Sequence, residues 1–135
     1  MEDRELIRAA IEARRRAYTP YSHYQVGAAL LTESGKLYQG CNIENAAFSP
    51  TCCAERTAFF KAVSEGETRF SAIAIVAGPE GELLTPPTPC GVCRQVMMEF
   101  CDPETFRILL ARGPEDCRSF TLRELLPLGF GPKDL

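Results

Sequence analysis

Cys53-Ala54-Glu55 and, further along, Pro89-Cys90-Gly91-Val92-Cys93 are the residues of this chain whose types and spacing could do chemistry. Three thiolates can fill three corners of a zinc tetrahedron and leave the fourth to water, and that open corner separates a catalytic zinc site from a structural one. A glutamate beside it has the chemistry of a proton carrier. Cys90 and Cys93 are three apart, so on a helix they lie on one face, one turn apart. If Cys53 opens a second helix, two positive dipole ends help to ionise the thiols between them.

The competing reading is a structural zinc knuckle. Such a site wants a fourth protein ligand, and the single histidine, His23, sits in a segment that reads as loop. A structural site has no use for Glu55, which would then be a first-turn glutamate favoured by the helix dipole. Geometry also makes a demand. Two residues apart in mid-helix, Cys53 and Glu55 would point different ways, so they can share a target only if it lies off a helix terminus.

The elements that must position these residues follow from periodicity. Leu6, Ile7, Ala10, Ile11 and Ala17 fall at helical spacing between Arg4 and Tyr18, with arginines on much of the opposite face. Val26 to Leu31 and Leu37 to Gln39 flank a short loop with Gly35, which predicts a hairpin. Phe70 to Ala77 is a continuous apolar run, as expected of a strand covered on both faces. Arg107 to Leu110 predicts another strand, and a fifth is expected near Phe120. Helices are expected over Cys53 to Ser64, Cys90 to Phe100 and Leu122 to Leu126. Gly78 to Pro89, rich in glycine and proline, reads as a loop feeding the second cysteine pair. Together these predict an α/β fold: a three-layer α/β/α sandwich with a mixed sheet of about five strands and helices on both faces.

With 135 residues, 45% of them hydrophobic, the chain is expected to form one domain over 1–135. A net charge of −3 and a pI near 5.2 provide no basic field for phosphates, so nucleic acid is not an expected partner. No apolar run approaches the ~20 residues that span a bilayer, and the first residues lack signal-peptide character, so no membrane association and a cytoplasmic location are expected. Seven cysteines, an odd number, read as three metal thiolates and four free thiols. Cys41, Cys52, Cys101 and Cys117 are expected to be small buried residues, with Cys52, beside Cys53, a possible competitor for metal or a site of oxidation.

Six blocks carry a family resemblance: Pro20-Tyr21-Ser22, Val26 to Ala29, Gly40 to Ala46, Cys53 to Ala58, Pro89 to Gln95, and Leu125-Leu126-Pro127 with Phe130. Over nearly its whole length the chain resembles the small zinc-dependent cytidine deaminases. The resemblance implies hydrolytic deamination of cytidine and deoxycytidine to uridine and deoxyuridine with release of ammonia, in pyrimidine salvage, by a homotetramer. It implies zinc on Cys53, Cys90 and Cys93, with Glu55 as the group that moves protons between water, ring N3 and the leaving amine. Arg56 matches the arginine that offsets excess thiolate charge. Asn42 and Glu44 match the pair that holds the ribose, and the backbone around Ala54 matches a contact to the base. Tyr24 and Phe48 match aromatic positions of the site, and Phe130 an aromatic that a neighbouring subunit places over the base. Tyr24 and Thr88 depart from the usual phenylalanine and serine, and Cys52 adds a second thiol beside the ligand. A deaminase of blasticidin type, or of another nucleoside analogue, is the nearest alternative, and Asn42 with Glu44 favours cytidine over it. An editing deaminase acting on polynucleotides should show a basic or aromatic strand-binding surface, against which the net charge argues.

Overall fold

The computed structural model describes residues 1–83 and 87–135. In chain order they form α1 (Asp3–Arg14), β1 (Tyr24–Thr32), β2 (Leu37–Cys41), α2 (Ala54–Ser64), β3 (Phe70–Pro79), α3 (Gly91–Phe100), β4 (Arg107–Gly113), β5 (Asp116–Thr121) and α4 (Leu122–Leu125), followed by a short 3-10 turn at Pro132–Asp134. The five strands make one sheet in the order β2-β1-β3-β4-β5. Only β3 and β4 are parallel, joined through α3, and every other neighbouring pair is antiparallel. The expected α/β sandwich with a mixed five-stranded sheet is what the chain adopts.

Period-two alternation sorts the strand residues between two unequal faces. Against α1 the strands present mostly small side chains: Ala29 of β1, Ala72 and Ala74 of β3, and Ala111 of β4, which meet Leu6, Ile7 and Ala10. The helix therefore packs close. At Gly27 a Cβ would stand 2.1 Å from the Ala10 carbonyl oxygen, so only glycine fits. The opposite face presents Leu30, Ile73, Ile75, Ile108 and Leu110 to α2 and α3. There Phe59 meets Phe70 edge-on at 5.1 Å and lies 6.1 Å from Phe106. Gly40 brings β2 against the start of α2, since a Cβ there would lie 2.4 Å from the Ala54 carbonyl oxygen.

Four local expectations need correction. The first helix ends at Arg14 rather than near Tyr18, because the Tyr18 N–H donates to the Asn42 carbonyl and the Tyr18 carbonyl accepts from Glu44 N–H. Pairing with this loop replaces the last helical turn. Arg14 is not on the solvent face: it is buried, its guanidinium occupied by main-chain carbonyls. Gly78 and Pro79 belong to β3 rather than to the following loop, of which Pro86 lies outside the described residues. Cys117 is exposed on the edge strand β5, whereas Cys101 is buried and Cys41 and Cys52 are half-buried.

Candidate active site

Cys53 is the N-cap of α2 and Cys90 the N-cap of α3, both in extended backbone. Neither is inside its helix. Pro89 accordingly precedes the cap rather than occupying the first helical position. Cys53 thus stands just off the α2 terminus while Glu55 sits in the first turn, and both line one cavity, so the geometric demand made by their spacing is met.

The Sγ atoms of Cys53, Cys90 and Cys93 all lie within 4.8 Å of one another, with Cys53 to Cys90 at 3.7 Å. Zinc–sulfur bonds of ~2.3 Å at tetrahedral angles require sulfurs about 3.8 Å apart, so the trio fits a zinc ion. Cys93 is buried, Cys53 half-buried and Cys90 exposed, which leaves one side of the cluster open. The Cys93 N–H donates to Cys90 Sγ at 3.4 Å. Arg56 Nη2 donates to Cys53 Sγ, also at 3.4 Å, while Arg56 Nε is buried without a partner among the described residues. A guanidinium that donates to the Cys53 sulfur and holds a further buried N–H unpaired fits a cluster that carries negative charge.

Electrostatics agree with the donor chemistry. Hydrogen bonding from the Cys93 thiol, then from Arg56 and Cys90, lowers Cys53 to about 5 against the opposing effect of burial. Cys93, which donates within this network and is itself desolvated, is pushed far up. A dication among the sulfurs would favour the ionised form of all three. Glu55, 4% exposed, is raised to about 7, first by burial and further by the neighbouring Cys53 charge. A carboxyl poised there can both take and return a proton near neutrality.

The cavity has a volume of about 400 Å³. Cys53, Cys90 and Glu55 line it together with Tyr24, Asn42 and Glu44. Asn42 already makes two bonds to β1: its Oδ1 accepts from Val26 N–H and its Nδ2 donates to the Tyr24 carbonyl, each at 2.9 Å. This leaves one amide hydrogen and one lone pair for a ligand. Glu44 accepts from the Tyr21 and Ser22 N–H groups and from Ser22 Oγ. Those bonds, the Ser22 hydroxyl foremost, hold its carboxyl below the usual range and keep it ionised.

Other expected residues lie apart. Ala54 is fully buried between the cavity residues Cys53 and Glu55. Phe48, 93% exposed, lines an adjoining cavity that shares Glu44 and Thr51 with the first. Phe130 is exposed on the C-terminal segment, where its carbonyl accepts from Gln95 Nε2 at 2.8 Å. Thr51, Ile75 and Pro87 line the cavity without having been singled out by the sequence, and Val26, noted only within a family block, lines it too. Their apolar or neutral side chains carry no chemical signature, and only their location marks them.

A family model described as the cytidine and deoxycytidylate deaminase zinc-binding region matches residues 1–108. A cytidine deaminase of Sporosarcina psychrophila is 50% identical over 135 residues, covering 100% of this chain and 96% of that protein. The crystal structure of cytidine deaminase from Burkholderia pseudomallei superposes with a TM-score of 0.87 at 45% identity, covering 96% of this chain and 100% of that one. That of the Mycobacterium tuberculosis enzyme does so with a TM-score of 0.79 at 38% identity, over 97% and 98%. With its cysteine trio and buried glutamate in place, the chain belongs to the zinc-dependent cytidine and deoxycytidylate deaminase family.

Proposed function

We propose that this chain, as one domain over residues 1–135, hydrolyses cytidine and deoxycytidine to uridine and deoxyuridine, releasing ammonia. The observation that carries this reading is the single cavity in which Glu55, buried, faces Cys53 and Cys90, with Asn42 and Glu44 nearby. Among the described residues no lysine, arginine or histidine lines that cavity. It therefore suits an uncharged nucleoside better than a nucleotide, whose phosphate would meet Glu44 without a counter-ion.

Cys53, Cys90 and Cys93 would hold the zinc. When bound, the metal supplies Lewis-acid activation of the attacking water. Glu55 takes a proton from that water, delivers it to ring N3 and later helps to protonate the departing amino group. Because its carboxyl is enclosed, these transfers avoid competition from bulk solvent. Arg56 offsets the surplus negative charge of three thiolates on one dication. Asn42 and Glu44 grip the ribose hydroxyls with the hydrogen-bonding capacity that their own contacts leave free. The backbone at Ala54 meets the base edge, and Tyr24 walls the sugar side.

Phe48 and Phe130 complete the site in a homotetramer, where Phe130 of one copy covers a neighbour's base. Their exposure, with that of Leu128 at 100%, supports burial between copies. The setting is pyrimidine salvage in the cytoplasm. Among the described residues no helix is long and apolar enough to cross a membrane.

Incubation of the purified protein with cytidine should give the absorbance loss of deamination with about one zinc per chain. Glu55→Ala should retain the zinc and abolish turnover. A near-parental rate in that variant would refute the role of Glu55, and cytosine without ribose processed as well as cytidine would refute the roles of Asn42 and Glu44. Full activity in a monomeric fraction would refute the shared site.

A further inference from the structure

Arg14, 8% exposed at the C-terminal end of α1, is a buried cation with no carboxylate partner among the described residues. Four main-chain carbonyls satisfy it. Its Nε donates to Gln25 at 3.1 Å, while its Nη2 donates to Gly78 at 3.0 Å and also to Pro79 and Glu82. Desolvating a guanidinium is costly, and a surface arginine at a helix end would avoid that cost. The arrangement therefore needs a reason in what these carbonyls belong to.

Three of them belong to two paired strands that each contribute residues to the cavity, Gln25 to β1 and Gly78 and Pro79 to β3, and the fourth, Glu82, belongs to the chain leaving β3. Gln25 and Gly78 are register partners in β1 and β3, so one guanidinium spans that pair and the chain leaving it. On β1, Gln25 lies between the cavity residues Tyr24 and Val26, whose outer backbone groups are held by Asn42. This short stretch is gripped by Asn42 and by Arg14. On the other branch, Gly78 and Pro79 end β3, whose Ile75 lines the cavity, and Glu82 follows in the chain leaving it. The bare Cα of Gly27 permits the approach, since a Cβ there would stand 2.7 Å from the Arg14 backbone nitrogen.

We propose that Arg14 is a positioning residue that fixes the nucleoside-binding edge of the cavity, Tyr24 to Val26 with Asn42, against the C-terminal end of β3. It touches neither substrate nor metal. The proposal rests on the deaminase reading for the identity of the substrate. Its chemical content is the bridge: one nitrogen serves β1 and another serves the end of β3. A lysine keeps the charge but puts all three donors on one atom at the end of a flexible stem, so it cannot reproduce the rigid fork whose separate nitrogens hold the two branches in register.

The test compares the parent with Arg14→Met, Arg14→Lys and the control Ile7→Ala. Ile7 is fully buried on the same helix, in the cluster facing the small-residue side of the sheet. All are assayed where circular dichroism shows complete folding, with zinc content, kcat/KM for cytidine and uridine affinity by calorimetry. We expect Arg14→Lys, and Arg14→Met where it folds, to retain zinc while kcat/KM falls roughly tenfold to a hundredfold, the scale of a small misplacement of reacting groups, with weakened uridine binding. Ile7→Ala should lose stability yet keep both within about twofold, as a remote packing defect would. Parental kcat/KM and uridine affinity in Arg14→Lys would overturn the inference, as would an equal loss in Ile7→Ala. A parent inactive on cytidine would overturn the deaminase reading and this inference with it.

Discussion

The starts of α2 and α3 have nearly the same backbone and opposite uses. Each begins on a cysteine N-cap, with φ −71 and ψ 155 at Cys53 and φ −66 and ψ 166 at Cys90. In α2 the next residues are Ala54, Glu55 and Arg56, so the first turn presents a buried carboxyl to the cavity and a guanidinium to the Cys53 sulfur. In α3 the third helical position is Cys93, which brings a second sulfur of the cluster from the same turn. The arginine that follows it, Arg94, points elsewhere, donating to the carbonyls of Pro89 and Leu125. In the proposed reaction one helix start manages protons and charge, through Glu55 and Arg56. The other would supply two of the three zinc ligands and, through Arg94, ties the Cys90 segment to the end of α4. A capped helix terminus is thus a generic frame, and the residue at its second or third position decides its chemistry.

Substitutions can break this contrast in order of expected effect. Glu55→Gln should lower kcat by roughly 10²- to 10⁴-fold, since the amide keeps the shape and cannot carry protons. Zinc content measured on the same sample should stay at the parental level, and joint loss of metal and activity would mean that Glu55 supports the cluster instead. Arg56→Gln should lower zinc affinity or kcat/KM by roughly tenfold to a hundredfold, the usual cost of removing a partner that orients a metal ligand. Competition with a chromogenic chelator reads the first and initial rates the second.

Arg94→Met should act on the fold instead. Two carbonyls lose a charged donor, and chemical denaturation should show a loss of about 1–3 kcal/mol. Zinc affinity and kcat/KM should change far less than in Arg56→Gln, and equal effects would erase the distinction between the two helices. The smallest effect belongs to Asp3 in the first turn of α1, whose carboxylate meets Arg107 at 2.7 Å and 3.1 Å. That hydrogen bond holds its carboxyl below the ordinary value. A depressed carboxyl stabilises the fold above its unfolded pKa and ceases to do so as pH falls through the folded one. Asp3→Asn should therefore cost under about 1 kcal/mol at neutral pH, because the pair is partly exposed and screened. The gap to the parent should close as pH falls below about 4 in denaturation curves taken across that range.

Sequence made the strands and helices legible because their periodicities are strong, as in the unbroken run from Phe70 to Ala77. It misplaced the end of α1, since nothing local to Arg15 or Tyr18 announces a pairing with Asn42 and Glu44. It placed Arg14 in solvent by the ordinary preference of charged residues. That preference is overridden only where carbonyls distant in sequence converge, as those of Gln25, Gly78 and Glu82 do. The wall residues Thr51 and Ile75 were illegible for a related reason: their roles come from place and not from side-chain chemistry.

The ligand trio, the glutamate beside it and the α/β class are inherent in the order of residues, because metal-ligand spacing and apolar period are properties of short stretches of chain. Tertiary structure alone decided that the sulfurs converge within 4.8 Å, that Glu55 is buried enough to be raised to about 7, and that Asn42 and Glu44 open onto the same cavity. The physical reason is that distance, desolvation and enclosure arise between segments far apart in sequence. The close approaches at Gly27 and Gly40 illustrate this, seating two helices against the sheet so that those segments meet.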